Sequence, residues 1–494
     1  MPFFKKNGIL TVMKTVFVCA AVIFLLSSCV STRKTKNESV EGTQFYSENT
    51  SELFKSELKN GIPVIVKNIP SEKNITFTVI FTGGSSVSDP ALEGLEALAL
   101  NVIASESSAH SSSEMEKIYI SNNVFISKYV GNDFSRYAFT CPSENFFTAL
   151  DVFQDTLVST GFSLSTFVNV LSQEEDDSLA DSEDARQLLM KKVSGILYKN
   201  HPYGIARHIP AGSYIDESDV KQYIPLLVNA YRMKIIVTGN VEKIRFPVYD
   251  ADPDEVQSKA TGSVKVSGLI FEELEKRFSA IKSVEIATPD IPSLNFTVNG
   301  DGIEKLTLRE NAAESCMVMC FPCPSRSDSD YQAFVLASMV VESILYRDIS
   351  GKSQVAASTG TGFLNGKKCA VAIIADGLEN ASGLKLSGLI EKINASLETF
   401  PSDENLEKNL QRYKNIYIGR IYKHASDSRM TALQIASSLI YSGIDSVDEF
   451  YARPEKINGI TAQEVRTAFE KYFCNENHFT VICGNRKFLK SMEG

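Results

Sequence analysis

Histidine is scarce in this chain. The 494 residues contain five, His110, His201, His208, His424 and His478. No two stand three or four positions apart, so no helix can present two imidazoles on one face, and the common His-Glu-x-x-His zinc motif is excluded. Basic charge is short as well: 50 Lys and Arg against 60 Asp and Glu leave a net charge of -10. Such a surface has no footprint for a phosphate backbone. The chain also has no GxxxxGK[ST], no GxGxxG and no basic-aromatic stripe, so nucleotides and nucleic acids are not expected partners. With 28 Gly and 16 Pro, collagen-like and Pro-rich architectures are excluded. What is present is ordinary for a folded protein, 43% hydrophobic and 22% charged residues. At ~150 residues per domain, the length allows two to four domains.

Long apolar runs are missing except near the start. Lys5, Lys6 and Lys14 precede an uncharged run from Thr15 to Leu26. The pattern reads as the n-region and h-region of a signal peptide, and the run is shorter than the ~18–20 residues a spanning helix needs. It ends in Leu26-Ser27-Ser28-Cys29, which resembles a bacterial lipoprotein signal in which Cys29 is acylated and becomes the mature N-terminus. Residues 1–28 form the leader, and their removal takes three lysines and no acid, leaving -13. Acyl chains on Cys29 would be the only membrane anchor. Residues 29–50 are polar and are expected to be a flexible tether. The expected location is the cell envelope, lipid-anchored, with the body in the periplasm or at the cell surface.

Nine cysteines include Cys19 in the leader and Cys29, so seven remain in the body. Cys316, Cys320 and Cys323 lie close enough in sequence for three thiolates to suggest a metal site. The run from Cys316 to Cys323 reads instead as a buried strand entering a turn, with cysteine as a small core residue. An extracytoplasmic disulfide, with Cys369 as a candidate partner, is not assigned by spacing.

The chain repeats itself. Ile215 to Asn240 aligns without a gap with Ile460 to Asn485, a constant offset of 245, and Ile215/Ile460, Val220/Val465, Gly239/Gly484 and Asn240/Asn485 are identical. Each copy reads as a cap (Asp216 or Thr461), a helix, a short apolar strand and a Gly-Asn turn. Elsewhere Val64 to Val66 and Ile75 to Phe81 are strand-like. Phe146, Leu150, Phe153 and Leu157 recur at helical spacing, as does the apolar stretch 331–345. Residues 402–422 and 425–442 read as two further helices. The expected fold is α+β, two homologous domains at 51–245 and 296–494, each a sheet with helices packed on it. Residues 246–295 are the expected connection.

These features resemble the insulinase/pitrilysin family of zinc metallopeptidases, the inverzincins. The quoted segments are Leu58 to Val66, Thr82-Gly83-Gly84-Ser85 followed by Gly94-Leu95, His201-Pro202-Tyr203-Gly204 and Gly239-Asn240-Val241, with the helical pattern from Ser402 to Ser442 and then Ile457 to Gly484. The resemblance implies a duplicated domain whose copies make one half of a clamshell around a peptide cavity. It also implies His-x-x-Glu-His on the first helix, with two zinc-binding histidines and a Glu that polarises water. A second Glu about 75 residues later completes that site.

Where that chemistry belongs, this chain departs from the pattern. Anchored on Gly94-Leu95, the two histidine positions fall on Ala97 and Asn101 and the general-base position on Leu100; residues 91–109 contain no histidine. Methyl and isobutyl groups offer zinc no lone pair, and Leu100 cannot take a proton. Glu174 or Glu175 remains as the distal carboxylate, and one carboxylate without imidazoles holds zinc poorly. The Arg and Tyr that hold substrate in the family's second half align with Ser350 and Ala357. No metal and no cofactor is therefore expected, although zinc belongs to the family.

Other candidates are weaker. His201 and His208 could share a metal only across Pro202 and Gly204, which break any helix between them. His110 lies in a Ser-rich stretch with no acid placed for a triad. The acidic run Glu174-Glu175-Asp176-Asp177, continuing to Asp184, lacks calcium-loop spacing and reads as a solvated face. The sequence thus points to a degenerate insulinase-like lipoprotein that acts by binding, as partner of an active homologous subunit in a homo- or heterodimer or as a holder of peptides. The alternatives are an active zinc peptidase with an unrecognised or subunit-shared site, and a structural envelope scaffold.

Overall fold

A computed structural model of the chain describes residues 42–181, 184–205, 209, 214–247, 262–298, 300, 302–312, 314–352, 355–360, 366–380 and 385–493. The leader, Cys29 and His208 lie outside the described residues. The first sheet is built from β1 (Leu53–Glu57), β2 (Pro63–Asn68), β3 (Asn74–Thr82), β4 (Phe125–Val130), β5 (Phe134–Pro142) and β6 (Met233–Gly239). The second uses β7 (Ile303–Leu308), β8 (Cys316–Cys323), β9 (Ala356–Gly360), β10 (Cys369–Asp376) and β11 (Phe479–Asn485).

The strand orders are β1-β2-β6-β3-β5-β4 and β7-β11-β8-β10-β9. Apart from the added edge strand β1, the second order repeats the first. The repeat read from the sequence holds to the residue. Ile235 pairs in parallel with Val64 of β2, and Thr480, 245 positions on, pairs in parallel with Ile303 of β7. Both also pair antiparallel on their other side, with Val79 and with Met319. The preceding helices, Glu217–Leu227 and Ala462–Phe473, are each closed by a capping box, on Asp216 and Thr461. The fold is α+β, as the alternation of strand and helix patterns predicts.

Strand alternation gives each sheet two buried faces. In the first sheet Val64, Val66, Phe77, Val79 and Val237 point into the core of their own half. Ile65, Ile80 and Ile236 point the other way, onto Ala432, Ile435, Ala436 and Leu439 of the helix Ser428–Tyr441. That helix comes from the second half. Its first turn is pinned where Thr238 Oγ1 donates to the Ser428 carbonyl at 2.7 Å and Thr76 Oγ1 to the Ser428 hydroxyl at 3.0 Å. The reverse also occurs: the helix Ala185–Leu197 of the first half lays Leu189, Val193 and Leu197 on Val318, Ala372 and Val481 of the second sheet. Each half covers the other's sheet, and contacts do not divide residues 42–494.

Two expected boundaries move. Residues 42–50, expected within the flexible tether, form a helix whose Phe45 ring meets Tyr422 at 4.5 Å and Tyr451 at 6.1 Å. The expected connection 246–295 contains the helix Ser263–Phe278, which belongs to the first core. Its Val266, Ile270, Leu274 and Phe278 are buried there, and Phe278 stacks on Phe77 at 6.0 Å. Burial of apolar area at ~25 cal/mol per Å² favours seating both segments once the partner surface exists.

The interlock has a measurable consequence. Ile435→Ala and Leu189→Ala each empty a site under the opposite sheet and are expected to cost about 2–5 kcal/mol. Urea unfolding followed by circular dichroism should show one transition for both halves in the wild type and in each variant. Two separated transitions would contradict the interlock.

Candidate functional site

The first sheet's third strand ends at Thr82 and runs into Gly83-Gly84. Gly84 has φ +52°, and a Cβ there would lie 2.1 Å from the Gly131 carbonyl oxygen, so only glycine fits this approach to the β4–β5 turn. Gly94, in the left-handed region at φ 86°, then starts the helix Leu95–Ile103. This is the helix on which the metal motif would stand.

It is held by a buried charged cluster that the sequence reading did not find. Glu96 and Arg232 are both almost fully buried and bonded at 2.8 Å. Glu96 also accepts from Ser135 Oγ at 2.6 Å and from the Tyr223 hydroxyl. Arg232 Nε donates to the Thr82 carbonyl at 2.8 Å. Burial, and next the Glu96 charge, push the Tyr223 phenol above its usual range. The cluster ties the helix to the end of β3, to β5, to the helix Glu217–Leu227 and to the start of β6. A buried pair of this kind is bound to its partners because each charge left alone would be poorly solvated.

At the expected catalytic positions, Ala97 is 3% and Leu100 1% exposed. Asn101 is half-buried, and its Nδ2 donates to Glu174 Oε1 at 2.5 Å. Glu174 stands on the helix Leu164–Asp181, which packs beside Leu95–Ile103. The structure therefore resolves the choice left by the sequence: Glu174, rather than Glu175, is the carboxylate that reaches the motif helix. Lys128 of β4 lies near this carboxylate. Its side chain is reached by solvent, yet desolvation by the surrounding protein lowers its ammonium below the usual lysine range, and the Glu174 charge opposes that shift. An amide and a carboxylate thus occupy the region where two imidazoles and a carboxylate would be needed.

These residues do not fit zinc. Of the motif positions, one presents a methyl and one an isobutyl group, and the amide spends a donor on the Glu174 carboxylate. Among the described residues, no three His, Cys, Asp or Glu side chains could hold a metal ion together. Cys316, Cys320 and Cys323 cannot do so either. Cys316 and Cys320 face the helix Ala185–Leu197, whereas Cys323 packs on the opposite face of β8.

The second half's two positions are brought together. Ser350 Oγ accepts from the Ala357 backbone N at 2.8 Å and donates to its carbonyl at 3.3 Å. The hydroxyl is satisfied by backbone, and Ala357 is buried in β9.

The remaining candidates are structural. His201 is buried, with Nδ1 accepting from the Tyr203 backbone N at 3.0 Å and Nε2 3.1 Å from the Pro292 carbonyl. Burial lowers its pKa below the usual imidazole value, so the neutral ring is favoured. Tyr203 donates to Asp133 at 2.6 Å, and Asp133 also accepts from the Lys367 backbone N at 2.8 Å. The His-Pro-Tyr-Gly turn therefore joins the two halves. His110 Nδ1 lies 3.4 Å from Asp155, while Ser107 Oγ takes the His110 backbone N rather than its ring. In the acidic run, Asp184 caps the helix Ala185–Leu197 through the Gln187 N–H at 2.8 Å.

A sequence model of the insulinase family (peptidase family M16) matches residues 63–211. The matched residues are similar to the insulinase family over that stretch. The match spans the motif helix, Glu174 and the His201 turn. Among solved structures, the insulinase-like chain is similar to a protease from Helicobacter pylori, with TM-score 0.71, 16% identity, and coverage of 87% of this chain and 99% of that one. It is similar to a peptidase M16 inactive domain from Pseudomonas fluorescens, with TM-score 0.68, 15% identity, and coverage of 88% and 98%. A third likeness is to a putative M16-like peptidase from Alicyclobacillus acidocaldarius, with TM-score 0.66, 11% identity, and coverage of 87% and 98%. At these identities the likeness establishes the fold, across both halves. No curated protein sequence matches the chain.

The Glu96–Arg232 pair should be essential to the placement of the helix Leu95–Ile103. Truncating either side chain, by Glu96→Ala or Arg232→Ala, is expected to cost about 3–5 kcal/mol, read as a lowered urea midpoint. The double variant should lose less than the two single losses combined. Additive losses would show that the two charges are not coupled.

Proposed function

We propose that this chain is a catalytically degenerate insulinase-fold protein of the bacterial cell envelope, anchored through an acylated Cys29, that works by binding. It serves as the non-catalytic partner of an active homologous subunit, or holds peptide segments itself. The observation that carries this reading is the Asn101–Glu174 hydrogen bond beside buried Ala97 and Leu100. The frame of the family is retained, and the donors that zinc chemistry requires have been replaced by groups that satisfy one another.

Binding needs none of the lost residues. β4 and β9 end their sheets, so each has one unpaired edge among the described strands. A peptide can add to such an edge through backbone hydrogen bonds alone. Phe125 and Tyr129 on β4 are exposed and would contact its side chains. That the Pseudomonas fluorescens relative is described as an inactive domain agrees with a family role apart from catalysis. Among the described residues no helix is long and apolar enough to cross a membrane.

The test is thermal unfolding of the purified protein with and without a library of extended peptides, beside a peptidase assay. A bound peptide at 100 times its Kd should add about 2.7 kcal/mol of stability, and no chelator-sensitive cleavage should occur. Chelator-sensitive cleavage by the chain alone would overturn the reading. Absence of peptide stabilisation together with no homologous partner recovered from the envelope would favour a scaffold instead.

A further inference from the structure

Seven cysteines remain in the body, and the register of the second sheet sorts four of them into pairs. Cys316 of β8 lies directly opposite Cys483 of β11. Cys323, at the other end of β8, lies directly opposite Cys369 of β10. The Cys316 and Cys483 sulfurs are 3.0 Å apart. Directly opposed residues in antiparallel strands have Cα atoms about 4.5 or 5.5 Å apart, inside the ~4.4–6.8 Å range that a disulfide spans. Cys320, in the middle of β8, faces Phe479 and Ala372 and has no cysteine opposite it.

We propose that β8 is stapled to both of its neighbours by two cystines, Cys316–Cys483 and Cys323–Cys369. The bridges lie at opposite ends and on opposite faces of the strand. The first sits under the helix Ala185–Leu197, and the second on the face that carries Met317, Met319 and Phe321. Cys141, Cys320 and Cys474 stay as thiols, which accounts for the odd number.

Each bridge forms by exchange with a disulfide-bearing oxidant of the envelope. A cysteine thiolate attacks one oxidant sulfur, giving a mixed disulfide and releasing one oxidant thiol. The opposed cysteine, giving up its proton, then attacks the protein sulfur of that mixed disulfide and releases the second thiol. Two protein thiols are oxidised and one oxidant disulfide is reduced to two thiols. Cys316 and Cys483 are buried, at 4% and 0% exposure, whereas Cys323 and Cys369 are half-buried. The first bridge must therefore close before the helix Ala185–Leu197 covers the sheet, and the second can close in the folded chain. These bridges do not depend on the binding role and share with it only the envelope location.

The experiment is disulfide mapping of the full chain taken from its own envelope fraction. Thiols are blocked with N-ethylmaleimide under denaturing conditions, and the protein is digested without reductant and weighed by mass spectrometry. The expected result is two linked peptide pairs, Cys316 with Cys483 and Cys323 with Cys369, and blocked Cys141, Cys320 and Cys474. Blocking of all four paired cysteines, or any other pairing among them, overturns the proposal. In Cys483→Ala, Cys316 should be blocked in full while the Cys323–Cys369 bridge persists. A Cys316 bridge to any other cysteine in that variant overturns the pairing. Zinc content and peptide stabilisation are read separately, so a failure here leaves the binding role to its own test.

Discussion

A hydrogen bond from the Asn101 carboxamide to the Glu174 carboxylate ties the helix Leu95–Ile103 to its neighbour Leu164–Asp181. Asn101 and Glu174 come from two adjacent helices. A hydrogen bond to a charged group contributes about 1.5–3 kcal/mol, enough to keep the two helices in register. It needs no ion, no deprotonated ligand and no open coordination position. Once Asn101 and Glu174 satisfy each other, Ala97 and Leu100 can be packed as core, and that is how they are found. The rest of the functional reading depends on this substitution.

The frame around it does not depend on the metal either. Glu96 and Arg232 anchor the motif helix through partners on three other elements, Ser135 on β5, Tyr223 on the helix Glu217–Leu227 and Thr82 at the end of β3. The two sheets are each capped by a helix from the opposite half, and the His201 turn crosses between them through Tyr203, Asp133 and Lys367. A chain built this way keeps its shape largely independently of what stands at the motif positions, because folding free energy resides in sheet faces and interlocked helices rather than in the site.

Much of the duplicated frame was legible in the sequence because it is carried by local signals. Asp216 and Thr461 are strong caps, and Gly239 and Gly484 end apolar strands at one spacing. The resemblance, anchored on Gly94-Leu95, put Ala97, Leu100 and Asn101 on one helix, and the structure has all three on Leu95–Ile103. Tertiary relations were not legible. The choice between Glu174 and Glu175 needs the angle between two helices. The interlock needs to know which face of β2 or β8 meets which helix, and both faces read as apolar. Helix 42–50 was hidden by its polarity, since the half-buried Phe45 is its main apolar contact. Helix 263–278 did carry a signal, Val266, Ile270, Leu274 and Phe278 at four-residue spacing, obscured by the charged residues between them. The Glu96–Arg232 pair joins residues 136 apart, and spacing cannot show such a contact.

Lost chemistry is tested most directly by equilibrium zinc titration of the wild-type chain beside the double variant Ala97→His/Asn101→His, with metal content measured after dialysis. The wild type should retain no stoichiometric zinc, and the variant, which restores two imidazoles next to Glu174, should retain one ion per chain. A wild-type chain that holds one zinc as tightly as the variant would contradict the account.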